Sequence, residues 1–269
     1  MIDLNRARKF SEEVAKEAGH FLLENQKKVQ IKAYKAYKDR QDIVTNVDLA
    51  SEKIIISAIE KKYPKHNIHS EEKGVLDKKS QYTWVIDPLD GTKEYLRGLP
   101  IYSINLSLED KKEILLGTVY VPKAKSMFSA LRNRGAFENG KRIKVSSQNK
   151  LKDSFIYTHL PVKERKLSDS LEVIWSKLEK IFNFCYRLRS FQIDILSLCW
   201  LAKGGLDGYV LFFKDEKWWD IAAGLLILEE AGGKITDIFG KTISNNDLSN
   251  GIVASNAQIH DQLIKILNQ

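Results

Sequence analysis

Four acidic residues in this chain share one kind of placement. Glu71 follows a short strand pattern, Asp87 and Asp90 follow the apolar run Trp84-Val85-Ile86, and Asp220 opens the apolar segment WWDIAAGLLILEEAGG. Two carboxylates a few ångströms apart at a strand end repel each other unless something positive lies between them. Carboxylate oxygens are hard ligands, and Mg2+ needs only a few of them because water and substrate phosphate complete its octahedron. The chain carries no His/Cys set at zinc spacing, so the carboxylates point to magnesium. In WVIDPLDGTKEY, Trp84 to Tyr95, Pro88 sets a turn at which Asp87 and Asp90 face one point, with the Leu89 carbonyl between them as a further ligand. Gly91 and Thr92 stand where a helix would begin, and free backbone N–H groups at such an end attract phosphate. Contiguous metal and phosphate sites are what two-metal phosphoryl chemistry requires.

Simpler readings compete with each of these. Aspartates are common in turns around Pro and Gly, Asp220 serves equally as a helix N-cap, and Asp48 has the same alternative. A strand-end histidine such as His69 is more often a structural hydrogen-bonder than a ligand. Trp218 and Trp219 fit core and pocket wall. The matching context of Glu71, Asp87, Asp90 and Asp220 favours the metal reading over four unrelated turns.

The elements that must hold these residues are legible from periodicity. Leu4 to Asn25 has apolar residues at helical spacing. Thr45-Asn46-Val47-Asp48 is a capping-box start for a second helix that ends before Pro64 and carries Asp48 in its first turn. A strand at Asn67 to His69 precedes the strand Trp84 to Ile86, which Pro88 and Gly91 are expected to stop. Ile104, Leu106 and Leu108 alternate, a charged turn follows, and Ile114 to Val121 completes a hairpin. More β structure is expected from Phe128 to Val145, with turns at Arg134-Gly135 and Asn139-Gly140. The polar run Ser146 to Lys150 marks a boundary between an N-terminal α+β half, residues 1–148, and a C-terminal α/β half, residues 149–269. The second half predicts helices around Ser168 to Lys180 and Asp194 to Lys203, a strand at Gly208 to Phe213, and a helix opened by Asp220 and closed by Gly232-Gly233.

With 269 residues, 43% of them hydrophobic and 29% charged, the chain has an ordinary globular composition. Its 43 basic against 35 acidic residues give a net charge of +8, which favours anionic partners. Lys27 to Arg40 and Arg132 to Lys144 concentrate that charge, but no aromatic-rich single-strand motif or zinc-finger spacing accompanies them, so a solvated face is favoured over a nucleic-acid track. Cys185 and Cys199 sit in apolar segments and suit core positions in a reducing compartment. No signal-peptide core is present, and no apolar run approaches the roughly 20 residues of a membrane span. A cytoplasmic location without membrane contact is expected.

WVIDPLDGT, the downstream WDIAAGLLILEEAGG, the preceding Ser70-Glu71-Glu72, the earlier DIVTNVD and the milder GAFENGKRIKVS stand in one order from Ile43 to Ile238. This set resembles the inositol monophosphatase superfamily of magnesium-dependent, lithium-sensitive phosphatases. The resemblance implies a layered α-β-α-β-α sandwich, commonly homodimeric, that hydrolyses a small phosphomonoester with water activated by two or three metal ions. It makes Glu71, Asp87, the Leu89 carbonyl, Asp90 and Asp220 the Mg2+ ligands. Asp48 and Thr92 would orient and deprotonate the attacking water, Glu72 would support the ligands from behind, and Gly91 with Thr92 would hold the phosphate.

The resemblance also has gaps. Where relatives carry a run such as Gly-Ser-Ala-Ala facing the substrate, this chain reads Gln192-Ile193-Asp194-Ile195, and where inositol-specific members carry a glutamate it has Phe213. Gln192 and Asp194 are therefore the substrate-binding candidates, Asp194 accepting hydrogen bonds from sugar hydroxyls and repelling a second phosphate. An inositol, polyol or sugar monophosphate is the leading substrate. Thr92-Lys93-Glu94-Tyr95 resembles the branch that removes the 3′-phosphate of adenosine bisphosphates, the runner-up, although Ser197 stands near the place of a lysine those nucleotidases often have. A phosphatase-like scaffold that binds nucleic acid or a protein through its basic surface is the remaining alternative.

Overall fold

A computed structural model of the chain describes residues 2–36, 39–111, 113–162, 165–191, 193–243 and 247–269, with the main chain alone at 35–36 and 39–42. Asp3 accepts from the backbone N–H groups of Asn5 and Arg6 and so caps α1 (Leu4–Asn25), whose buried residues Ala7, Ser11, Val14, Ala18 and Leu22 recur every three to four positions. Strands β1 (Ile31–Ala36) and β2 (Asp39–Thr45) form a separate hairpin. The lysine-rich sequence there does not announce it, and Ile31 and Tyr34 on β1 are exposed. Thr45 and Asp48 form the capping box that opens α2 (Asn46–Lys62).

An eight-stranded sheet follows, built from β3 (Asn67–Ser70), β4 (Gly74–Leu76), β5 (Tyr82–Asp90), β6 (Ser103–Asp110), β7 (Glu113–Val121), β8 (Ser126–Leu131), β9 (Gly135–Glu138) and β10 (Lys141–Ile143), with α3 (Thr92–Leu96) between β5 and β6. Its order is β10-β9-β8-β7-β6-β5-β3-β4, antiparallel except that β3 runs parallel to β5. The remaining elements are β11 (Phe155–Thr158), α4 (Leu171–Phe184), β12 (Arg187–Arg189), α5 (Asp194–Ala202), β13 (Gly208–Leu211), α6 (Trp218–Glu230), β14 (Lys234–Thr236), β15 (Ile252–Ser255) and α7 (His260–Leu267). The second sheet has the order β12-β11-β13-β15-β14, with β11 parallel to both of its neighbours.

Helices α1 and α2 cover one face of the large sheet around Val14, Leu22, Ile55, Trp84 and Leu106. Helix α6 lies on its other face and packs on α5, which in turn contacts β13. The central apolar cluster joins Val119 and Phe128 to Leu198, Tyr209 and Leu226. On the far side of the small sheet, α4 and α7 close a third cluster around Ile174, Val210 and Leu263. The architecture is thus an α-β-α-β-α sandwich. A Cβ at Gly117 of β7 would stand 2.6 Å from the Ala223 carbonyl oxygen, so glycine is what lets α6 approach the sheet. Cys199 is buried, Cys185 half-buried, and neither is in a disulfide. Among the described residues no helix is long and apolar enough to cross a membrane.

Two expectations need correction. Strand β5 does not stop at Pro88; it continues to Asp90, pairing Asp87 with Asn105 and Asp90 with Ser103. Three steps on β5 therefore face two on β6. Such a bulge frees Pro88 from donating to the ladder and aims both aspartates anew. Helix α6 begins at Trp218, and Lys217 at its N-cap makes no side-chain cap, so Asp220 is a first-turn residue and not the cap.

Candidate metal and phosphate site

The bulge organises the first cluster. Asp87 is buried; its Oδ1 accepts from the Leu89 backbone N–H at 3.0 Å and its Oδ2 from Asn105 Nδ2 at 3.2 Å. Asp90 is half-buried, with Ser103 Oγ at 3.3 Å from its Oδ2. Parallel pairing of β3 with β5 brings Glu71 alongside, its N–H donating to the Ile86 carbonyl at 3.1 Å. The first turn of α6 supplies Asp220.

These four carboxylates share one electrostatic site. Burial first, then Glu71, Asp90 and Asp220, push the Asp87 carboxyl well above the usual carboxylate range. Burial raises Asp90 likewise, helped by Asp194, Glu94 and Glu71. Asp220 is raised by burial, then by Glu216, Glu71 and Asp90. Among the described residues no three of His, Cys, Asp and Glu already form a cage of ion-binding size. The fit to a divalent cation rests on the donor set, which is all oxygen, and on the mutual repulsion that a hard cation would relieve. His69 is engaged elsewhere, edge-on to Trp219 with ring centroids 5.2 Å apart, and burial lowers its pKa.

Asp48 divides its two oxygens between two tasks. Oδ2 accepts from the Thr45 N–H at 3.0 Å and from Thr45 Oγ1, completing the cap, while Oδ1 accepts from Thr92 Oγ1 at 2.9 Å. Capping and contact with Thr92 therefore coexist. Burial raises the Asp48 pKa more than the Thr45 and Thr92 hydrogen bonds lower it, and Glu71 adds to the rise. Thr92 Oγ1 also lies 3.0 Å from the Leu89 carbonyl. Gly91, at φ +81°, turns the chain from the bulge into α3, and a Cβ there would meet the Ile101 carbonyl oxygen at 2.9 Å.

Sequence reasoning missed the residue behind Glu71. Glu52, buried on α2 one turn beyond Asp48, accepts at Oε1 from the backbone N–H groups of Glu72 (3.1 Å) and Lys73 (2.9 Å) and from Ser70 Oγ. It fixes the loop that carries Glu71 and Glu72. The i, i+4 spacing of Asp48 and Glu52 was the available signal. The structure gives Glu72 a place in that loop, next to Glu71.

A second group faces the carboxylates from the small sheet. Asp194, buried at the start of α5, accepts from Tyr209 OH at 2.9 Å through Oδ1 and meets His159 Nδ1 at 3.0 Å through Oδ2. Gln192 lies outside the described residues. Arg165 donates to Asp215 at 2.9 Å and to Glu216 at 2.8 Å, and Glu216 is the neighbouring charge that most raises the Asp220 carboxyl. Trp218 Nε1 donates to Glu109. The pair Asp215-Glu216 just before WWD was a sequence signal for this part of the wall; His159 and Arg165 had none.

Three comparisons bear on this arrangement. Over 204 residues the chain is 39% identical to the Nus factor SuhB of Pasteurella multocida, covering 76% of this chain and 74% of that protein. Over 258 residues it is 35% identical to the fructose-1,6-bisphosphatase/inositol-1-monophosphatase of Aquifex aeolicus, covering 94% of each. The solved structure of the extragenic suppressor protein suhB from Bartonella henselae superposes with a TM-score of 0.88 at 29% identity, covering 98% of this chain and 99% of that one. The model of the inositol monophosphatase family matches residues 3–269, and the chain belongs to that family.

Proposed function

We propose that this protein is a Mg2+-dependent phosphoric monoester hydrolase acting on an inositol, polyol or sugar monophosphate. The observation that carries the reading is the cluster of Glu71, Asp87, Asp90 and Asp220, each aspartate raised by burial and then by its acidic neighbours, next to the 2.9 Å hydrogen bond between Thr92 Oγ1 and Asp48. Glu71, Asp87, the Leu89 carbonyl, Asp90 and Asp220 would hold the ions. When bound, Mg2+ would offset the charge of the carboxylates and polarise water and phosphate for displacement at phosphorus. Thr92 Oγ1, held by Asp48, positions the attacking water and passes its proton to the carboxylate, whose raised pKa suits a base. Backbone N–H groups of Gly91 and Thr92 hold the phosphate, Glu72 supports the ligand loop, and Gln192 and Asp194 meet the alcohol portion. The working form is a cytoplasmic homodimer that lithium inhibits.

Phosphate release from inositol 1-phosphate, fructose 1,6-bisphosphate and 3′-phosphoadenosine 5′-phosphate, each with Mg2+ and with excess chelator, tests this reading. Release that persists in chelator refutes the metal assignment. A kcat/KM far higher for the adenosine bisphosphate replaces the polyol by the runner-up. A second reading is favoured by the similarity to Nus factors and by the net charge of +8: the same scaffold engages an acidic macromolecule. It predicts RNA association that weakens steeply with salt, and a salt-independent or absent shift removes it.

A further inference from the structure

Asp194 and Phe213 meet at one side chain. His159 Nδ1 is 3.0 Å from Asp194 Oδ2, and its ring stands edge-on to Phe213 with centroids 4.8 Å apart and an interplanar angle of 88°. Asp194 is itself held at its other oxygen by Tyr209 OH, and Tyr209 stacks on Tyr157 at 5.5 Å. The imidazole is therefore fixed in position and in tautomer, with Nδ1–H donating to the carboxylate. Nε2 has no hydrogen-bond partner among the described residues and is not one of the polar atoms sealed from solvent without one, and the side chain keeps 11% of its surface exposed. One polar atom of a rigid group is left open.

Its place in the fold says what it opens to. Strands β12, β11 and β13 are parallel neighbours. His159 follows the C-terminal end of β11, Asp194 follows β12, and Phe213 and then Asp220 follow β13. Ligands bind outside the carboxyl ends of parallel strands, and here that end also carries Asp220. Of the charges acting on Asp90, Asp194 raises its carboxyl most, which joins this wall to the carboxylate cluster.

Resting on the phosphatase reading above, we propose that His159 is a specificity-determining residue whose Nε2 hydrogen-bonds a hydroxyl of the substrate's alcohol portion, with Asp194 holding the ring. A hydroxyl is the matching group because it both donates and accepts, and so pairs with Nε2 whether or not that atom carries a proton. A second phosphate does not match: Arg165, the cation packed on this wall 4.5 Å from the Phe213 ring, is already paired with Asp215 and Glu216. Asp194 would repel it as well.

His159→Asn and His159→Gln test the assignment. Asparagine places its amide nitrogen near the Nδ1 position and keeps the bond to Asp194 but loses the outer atom; glutamine extends an amide to the Nε2 position. The readout is kcat/KM for inositol 1-phosphate divided by kcat/KM for p-nitrophenyl phosphate, whose alcohol portion has no free hydroxyl. His159→Asn is expected to lower that ratio about tenfold, mainly through KM of the inositol ester, and His159→Gln to restore part of it. A ratio unchanged in His159→Asn, or restored by neither variant, overturns the assignment while leaving the phosphatase reading intact. A wild type that hydrolyses neither ester overturns both. Thermal melting checks that each variant folds; where the Asn variant does not, His159→Leu takes its place, with the same roughly tenfold fall expected and an unchanged ratio overturning the assignment.

Discussion

Asp90→Asn separates two demands made on one carboxylate. The substitution removes a charge with almost no change of volume, and the new amide oxygen still accepts from Ser103 Oγ. In the ion-free protein the charge is unfavourable: burial, then Asp194, Glu94 and Glu71, hold the carboxyl well above the usual range, and Ser103 offsets only part of this. A carboxyl raised by folding binds more protons in the native than in the unfolded state. Its stabilising contribution is therefore fully present below the unfolded value, about pH 4, and is lost as pH rises through the folded value. Asp87 and Asp220 act in the same direction. The ion-free wild type should lose stability from about pH 4 toward neutrality, and Asp90→Asn should lose less.

The size follows from burial. Two like charges about 4 Å apart repel by about 1 kcal/mol in water and about 4 kcal/mol at the effective dielectric near a protein surface. Asp90 is only half-buried, so the lower part of that range, about 1–2 kcal/mol, applies. At about 2–4 °C per kcal/mol for a chain of this size, Asp90→Asn should melt roughly 2–8 °C above wild type in chelator near neutral pH. Mg2+ at a hundred times its Kd adds about 2.7 kcal/mol to a protein that binds it, and the variant, lacking a proposed ligand, gains little. The order of the two Tm values then inverts. Phosphatase turnover of the variant should fall by at least about 100-fold, since loss of a direct ligand exceeds the usual cost of losing its supporting partner. Scanning calorimetry with and without Mg2+ checks both signs. A variant that melts below wild type in chelator, or that gains as much from Mg2+, refutes the reasoning.

Other substitutions probe the neighbouring parts. Thr92→Ala removes the hydroxyl held 2.9 Å from Asp48 and should cut kcat by about 100-fold with little change in Mg2+ affinity; a parallel fall in affinity, read by calorimetric titration, would show Thr92 acting on the ions instead. Glu52→Gln weakens three hydrogen bonds converging on one oxygen and should cost about 1–3 kcal/mol in denaturant unfolding and 10- to 100-fold in Mg2+ affinity; wild-type affinity would detach the Glu71 loop from ion binding. Gly91→Ala forces a side chain into φ +81° and toward the Ile101 oxygen at 2.9 Å, so a loss of at least about 1–2 kcal/mol is expected, and inorganic phosphate should inhibit it more weakly than wild type.

What the sequence makes legible is chemistry between near neighbours in the chain. The bulge of Asp87 to Asp90, the turn at Gly91 and the capping box of Thr45 and Asp48 each lie within a few residues, so residue type and spacing nearly determine them. Even there Pro88 misleads, because its missing N–H marks a strand end in general and a bulge only where the partner strand accommodates the extra residue, as β6 does. Partnerships across elements leave no such trace. Glu52 reaches Ser70 over 18 residues, His159 reaches Asp194 over 35, and Arg165 reaches Asp215 over 50; each looks like an ordinary surface or core residue until the sheets are assembled. The two kinds of legibility divide the proposed site as well. The residues proposed to hold ions and phosphate come largely from one contiguous turn, with Glu71 and Asp220 added at its flanks, whereas the wall proposed to meet the alcohol is assembled from the ends of three strands far apart in sequence. Substitutions at those strand ends, such as Asp194 and Phe213, can therefore change which alcohol is admitted while the geometry at the bulge stays as it is.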